Sequence, residues 1–132
     1  IARAVVKRRA EEAINTTEDL VGTLLGAIPP KARRGKTHPA RGVFQALRIA
    51  VNDELSRLKG TLEKIYELLE PGGVLLVISY HSLEDRITKD TFRELKKLRA
   101  GTIRTKRVLR PKETEIERNS RSRSAKLRVI QR

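Results

Sequence analysis

Tyr80, His81 and Ser82 close a short apolar run, VLLVISY at 74–80, and Glu84, Asp85 and Arg86 follow at once. A phenol ring, an imidazole, a hydroxyl and two carboxylates thus meet within seven positions. Together they offer base or ring stacking, hydrogen bonding and proton transfer. In open α/β sheets, ligands lie beyond the carboxyl ends of the strands, which is where this group would stand. A plainer reading is also available. Ser82 is placed to cap a helix with Asp85 at capping-box spacing, and Tyr80 and His81 could simply brace the sheet. The residues alone leave both readings open. Other chemistries are less well supplied. His38 and His81 are the only histidines and there is no Cys, which leaves little for a zinc site and nothing for a disulfide. The GxSxG, GxGxxG and Walker patterns are absent. Gly72-Gly73 reads as a helix terminator and turn rather than a phosphate cradle.

The elements that must position this group follow from periodicity. IARAVVKRRAEEA, 1–13, reads as a helix without a cap. Thr16 or Thr17 starts the next helix, with Glu18 and Asp19 in its first turn. Leu20, Val21, Leu24, Leu25 and Ile28 form its apolar face, and Pro29-Pro30 ends it. A Pro-rich basic loop is expected over 29–41. Phe44, Leu47, Val51, Leu55, Leu58, Leu62, Ile65 and Leu69 then fall on one stripe at spacings of three and four, predicting a long helix with a bend at Gly60. Asn52-Asp53-Glu54 interrupts its helix-forming composition and could face solvent, a neighbouring helix or a substrate. VLLVISY, apolar almost throughout, predicts a central strand covered on both faces, as in parallel sheets. A helix to about Leu98 and a strand over 102–109 come next, then a loop with one helical turn from Pro111 to Arg118. Residues 123–130 alternate, with Ala125, Leu127 and Val129 on the apolar face. The last two strands are expected to pair antiparallel at the sheet edge.

The chain has 132 residues and a net charge of +14, unevenly placed. Lys31, Arg33, Arg34, Lys36 and Arg41 stand in 31–41 with no acid. Residues 99–132 hold twelve Lys and Arg against Glu113, Glu115 and Glu117. These two stretches account for the whole excess, so the remainder is balanced. Such local concentration points to a polyanion partner, nucleic acid ahead of an anionic membrane. No apolar run reaches the length of a transmembrane helix, and no signal-peptide pattern opens the chain. With the lack of Cys, that fits a cytoplasmic protein. The chain starts at Ile1 and contains no Met, from which a start inside a longer protein is expected.

Three separated blocks carry a resemblance. HPARGVFQALRIAVNDEL at 38–55, LEPGGVLLVISYHSLEDRITK at 69–89 and NSRSRSAKLRVIQR at 119–132 resemble the ribosomal RNA small subunit methyltransferase H family, and IARAVVKRR resembles the helix upstream of them. The family usually has Phe where this chain has Tyr80, and NPRAR or NPRSR where it has Asn119–Arg123. The resemblance implies an S-adenosylmethionine-dependent enzyme that methylates N4 of a cytosine in small-subunit (16S) ribosomal RNA. It implies an α/β fold: the C-terminal part of a class I, Rossmann-like methyltransferase sheet at 42–132, and part of an inserted helical, substrate-binding domain at 1–41. The family's Gly-rich turn and its acid after the second strand have no counterpart here, so S-adenosylmethionine is expected to be bound mainly outside these residues and the isolated chain to be inactive. On this reading His81 and Asp85 are the catalytic candidates. Tyr80, Ser82, Arg86, Arg33, Arg34, Lys36, His38, Arg41 and Asn52 are the candidates for binding substrate and RNA. A buried cytosine must be flipped to expose its amine, and Tyr80 is expected to stack on it. No metal is expected, and an open sheet edge could pair with a second copy. The alternative is a non-catalytic RNA-binding or ribosome-assembly module.

Overall fold

A computed structural model describes residues 1–33, 38–99 and 101–132. The chain forms two compact units, Ile1–Asn52 and Asp53–Arg132.

The first unit is helical. Helix α1, Ala2–Glu11, starts without a side-chain cap. Helix α2, Thr17–Ala27, opens with a full capping box in which Thr16 and Asp19 satisfy each other's backbone N–H. Leu24 and Ile28 are buried on the expected face, with Leu20, Val21 and Leu25 partly so. The expected loop after Pro29 instead begins with a short helix, α3, Pro30–Arg33. Proline suits a first helical position because its missing N–H has no partner to lose there. Helix α4 spans Arg41–Asn52.

The long helix expected from the stripe is broken. Asp53 has φ 51° and ψ 39°, a left-handed conformation, and helix α5 begins after it at Glu54–Leu68. Asp is among the few non-glycine residues that visit this region, because its short side chain can bond locally. Gly60 lies within α5, which continues through it. The stripe is also only partly core: Leu62 is buried, while Leu47, Val51 and Ile65 are exposed. Tyr66, absent from the stripe, is 2% exposed and joins Phe92, Leu95 and Ile130 in the core cluster of the second unit.

Strand β1, Val74–Ser79, follows the Gly72-Gly73 turn. Gly72 sits at φ +83°, where a side chain would be strained. Helix α6 is Ser82–Arg99, strand β2 is Thr102–Ile103, helix α7 is Glu113–Arg118, a 3-10 turn covers Ser120–Ser124, and strand β3 is Lys126–Gln131. The strand order is β1-β3-β2, with both pairings antiparallel. Among the described residues β1 therefore lies at the edge of the sheet, its one pairing is antiparallel where a parallel one was expected, and one of its faces is exposed. Leu76 and Ile78 are 60% and 58% exposed. Leu75, Val77 and Ser79 turn inward.

Register explains a second inversion. Leu76 pairs with Val129 and Ile78 with Leu127, whereas Leu75 pairs with Ile130 and Val77 with Arg128. Directly paired residues share a face. The apolar face predicted from Leu127 and Val129 is therefore the open one, and the covered face carries Arg128 and Ile130. The strand expected over 102–109 stops after Ile103. There the Arg104 N–H donates to the Val129 carbonyl, and the Thr105 hydroxyl accepts the Val129 N–H that a continuing ladder would need. Pairing resumes only as a single bridge between Leu109 and Leu127. Gly101 permits the approach from α6, since a Cβ there would lie 2.5 Å from the Tyr66 hydroxyl.

Candidate functional site

The junction of β1 and α6 brings Tyr80, His81, Ser82, Asp85 and Arg86 together. The cap of α6 is not the expected Ser82–Asp85 pair. His81 occupies the cap position. Its carbonyl accepts the Asp85 N–H, and its Nδ1 accepts the Glu84 N–H at 3.3 Å. In return Glu84 Oε2 accepts the backbone N–H of His81 at 3.3 Å and that of Tyr80 at 3.0 Å. This is a capping box with imidazole in the usual hydroxyl position. It immobilises the His81 ring. Because Nδ1 accepts, the hydrogen of the neutral ring sits on Nε2. Nε2 lies 3.1 Å from Glu84 Oε1, yet it is buried and makes no hydrogen bond among the described residues. The contact is close but not aligned for a hydrogen bond, so one ring nitrogen is buried at the strand end without a hydrogen-bond partner among the described residues.

Tyr80 is 55% exposed beside it, and Ser82 and Arg86 are exposed on the first turn of α6. Asp85 faces inward. Arg128 of β3 grips it with two bonds, Nε to Oδ1 at 2.7 Å and Nη2 to Oδ2 at 3.2 Å. Such a two-pronged pair fixes both partners. The Arg128 hydrogen bond holds the Asp85 carboxyl below its ordinary value of 3.8. It outweighs the opposing effect of burial, and the positive charges of Arg128, Lys126 and Lys89 add to it.

Arg128 also lines a cavity of about 460 Å³ in the same unit, with Phe92 at its floor and Lys89, Arg93, Lys106 and Arg107 around it. None of these was singled out from sequence. Arg128 stood on what looked like a solvent-facing side of its strand, and nothing local links it to a carboxylate 43 positions away.

In the first unit, Arg33 folds back, its Nε donating to the Ile28 carbonyl at 2.7 Å and so closing the end of α2. His38 performs a turn role. Its Nδ1 accepts the Ala40 N–H at 3.3 Å and its carbonyl accepts the Arg41 N–H. The Arg41 side chain is exposed, and Asn52 ends α4, exposed beside the Asp53 break. Arg34 and Lys36 lie outside the described residues. Among the described residues, no group of His, Asp or Glu gathers as a metal site, and no helix is long and apolar enough to cross a membrane.

Comparison with known proteins places this geometry. The model of the MraW methylase family matches residues 1–132. Ribosomal RNA small subunit methyltransferase H of Persephonella marina is 48% identical over 132 residues, covering 100% of this chain and 45% of its own length. The protein of the same name from Halothermothrix orenii is 46% identical over 147 residues, covering 100% of this chain and 47% of its own. That from Sulfurihydrogenibium sp. strain YO3AOP1 is 46% identical over 129 residues, covering 98% and 44%. The chain thus spans about half the length of the curated relatives it matches.

Proposed function

We propose that this chain, which belongs to the MraW methylase family, is the base-presenting, C-terminal portion of an enzyme that methylates N4 of a cytosine in small-subunit (16S) ribosomal RNA. The names of its relatives support the rRNA methyltransferase activity. The fixed imidazole with an uncommitted Nε2 at the end of β1 is the observation that carries the site assignment. We assign residues 1–41 to part of an inserted helical domain and 42–132 to part of a Rossmann-like methyltransferase domain, in a cytoplasmic protein.

The chemistry falls to positioning. Methylating an exocyclic amine requires that the base leave its stack and that its nitrogen be held in line with the methyl donor. The exposed Tyr80 ring stacks on the extruded base. The His81 Nε2–H donates to its edge, with the ring held by the helix cap. Asp85 has both oxygens taken by Arg128, so it serves as a positioning residue that ties α6 to β3. Ser82 and Arg86 on α6, and Arg33, Arg34, Lys36, His38, Arg41 and Asn52 in the first unit, contribute to RNA contact.

The reading requires S-adenosylmethionine as donor. The described residues do not fit it. The Gly72 N–H donates to the Arg132 carbonyl and the Gly73 N–H to the Glu70 carbonyl, so the one double-glycine turn has no amide to offer. We therefore assign the donor site to parts of the protein outside these 132 residues and derive no step through it. The test is nucleoside analysis of small-subunit rRNA incubated with the protein carrying this chain and methyl-labelled S-adenosylmethionine. Label in N4-methylcytidine is expected. Label in another nucleoside, or RNA binding with no label, contradicts the reading and favours a non-catalytic assembly module.

A further inference from the structure

We propose that the cleft between α6 and residues 104–108 holds the phosphodiester backbone of the single RNA strand that flanks the presented base. The proposal rests on the RNA reading above and assigns it a second contact, separate from the strand end. Four features carry it.

The first is charge. Lys89, Arg93, Lys106, Arg107 and Arg128 line the cleft. Among the described residues only two carboxylates lie within ion-pair distance of any of them. Asp85 is committed to Arg128, and Asp90 stands 3.6 Å from both Lys89 and Arg93. No such carboxylate lies beside Lys106 or Arg107. Lys106 and Arg107 thus add uncompensated positive charge beside a concave surface, which raises the local concentration of a polyanion.

The second is shape. The cavity of about 460 Å³ has an apolar floor made by Phe92, Ile103 and Val108. Phosphate groups on the rim would leave ribose or base over that floor, as grooves for single strands are built. A merely solvated basic surface needs neither a concavity nor an apolar base.

The third is anchorage. Lys106 and Arg107 project from a short segment pinned at both ends. Thr105 bonds to Val129, Arg104 Nε to Gln131, and Leu109 to Leu127 through paired backbone bonds. Little conformational freedom is left to lose on binding.

The fourth is alignment. His81, Asp85, Lys89 and Arg93 recur every four residues from the cap of α6, a row that winds about 120° around the helix. At 1.5 Å per residue the track is about 18 Å long, the reach of a few nucleotides. It leads from the proposed base contact to the cleft, with the Asp85–Arg128 pair between them.

The experiment measures binding of the full chain to a labelled single-stranded RNA of about twelve nucleotides, by fluorescence anisotropy across a salt series. The test variant is Lys106→Gln with Arg107→Gln. The matched control is Lys96→Gln with Lys97→Gln at the far end of α6. All four residues are exposed, so both variants fold. The cleft variant is expected to bind several-fold more weakly, with a log–log salt slope shallower by about 1.4, because each lost phosphate contact removes about 0.7 on a single strand. The control keeps both affinity and slope. Equal loss in the two variants, or no loss in the cleft variant, overturns the cleft while leaving the RNA reading intact. No RNA binding by the unsubstituted chain overturns both. Binding to anionic lipid vesicles that depends on Lys106 and Arg107, in place of RNA, overturns the proposal as well.

Discussion

At the scale of single residues, two side chains that look alike in the sequence do different work. His81 and Asp85 both sit at the start of α6. His81 caps the helix, with its Nε2 buried near the Glu84 carboxylate and without a hydrogen-bond partner among the described residues, and Asp85 is clamped by Arg128. Removing the Asp85 carboxylate leaves a largely buried guanidinium without its partner. Asp85→Asn is therefore expected to cost about 1.5–3 kcal/mol at neutral pH, read as a lower urea midpoint. The pH dependence has a definite sign. Asp85 titrates below its ordinary 3.8 because of Arg128. A folded-state value below the unfolded one contributes stability that is present above 3.8 and lost as pH falls through the folded value. The gap between the parent chain and Asp85→Asn should accordingly be full at neutral pH and narrow in strong acid. An equal gap at both would mean that the pair contributes no linked stability. The clustering of Tyr80, His81 and Asp85 was legible in the sequence because they are neighbours. The cap assignment was not, since imidazole rarely stands in for a hydroxyl and the Ser82–Asp85 spacing offered a more ordinary solution.

At the scale of elements, local pattern succeeded where the partner was local. The cap at Thr16 and the buried face of α2 follow from residues three and four apart. Strand faces depend on what packs above them, and there the pattern misled. Alternation at 123–130 located β3 and separated its two faces, but it did not show that the side with Ile130 and the Arg128–Asp85 pair is the covered one. The consequence is measurable. Ile130 is fully buried, so Ile130→Ala should cost about 2–5 kcal/mol, and Leu127→Ala, on the open face, distinctly less. The opposite ranking would restore the sequence-based assignment. The break between α4 and α5 was only half legible: Asn52-Asp53-Glu54 interrupts the helix-forming composition, yet an apolar stripe continues through it. A left-handed residue there predicts that Asp53→Val loses about 1–2 kcal/mol while Asp53→Gly does not. Equal effects of the two substitutions would show that the backbone at 53 is not constrained.

At the scale of the whole molecule, the charge map drawn from sequence singled out the stretches 31–41 and 99–132. It passed over Lys89 and Arg93, whose charges are balanced along the chain yet face the cleft in space. The glycine turn with both amides engaged is in keeping with the proposal that the methyl donor is held elsewhere in the protein. Calorimetry of the 132-residue chain with S-adenosylmethionine should accordingly show no saturable binding at low micromolar concentration. Tight binding would move the donor site into this chain. The central claim is that the His81 Nε2 serves the base and not only the fold. Asn is a strong N-cap residue, so His81→Asn keeps the cap of α6 and deletes that nitrogen, whereas His81→Ala loses both. The deciding measurement is the rate of methyl transfer to small-subunit rRNA by the protein carrying His81→Asn, taken alongside its melting temperature. A melting temperature close to that of the parent is expected, with a rate that falls as far as it does for His81→Ala. A His81→Asn protein that methylates at the parent rate would contradict it and leave His81 as a helix cap alone.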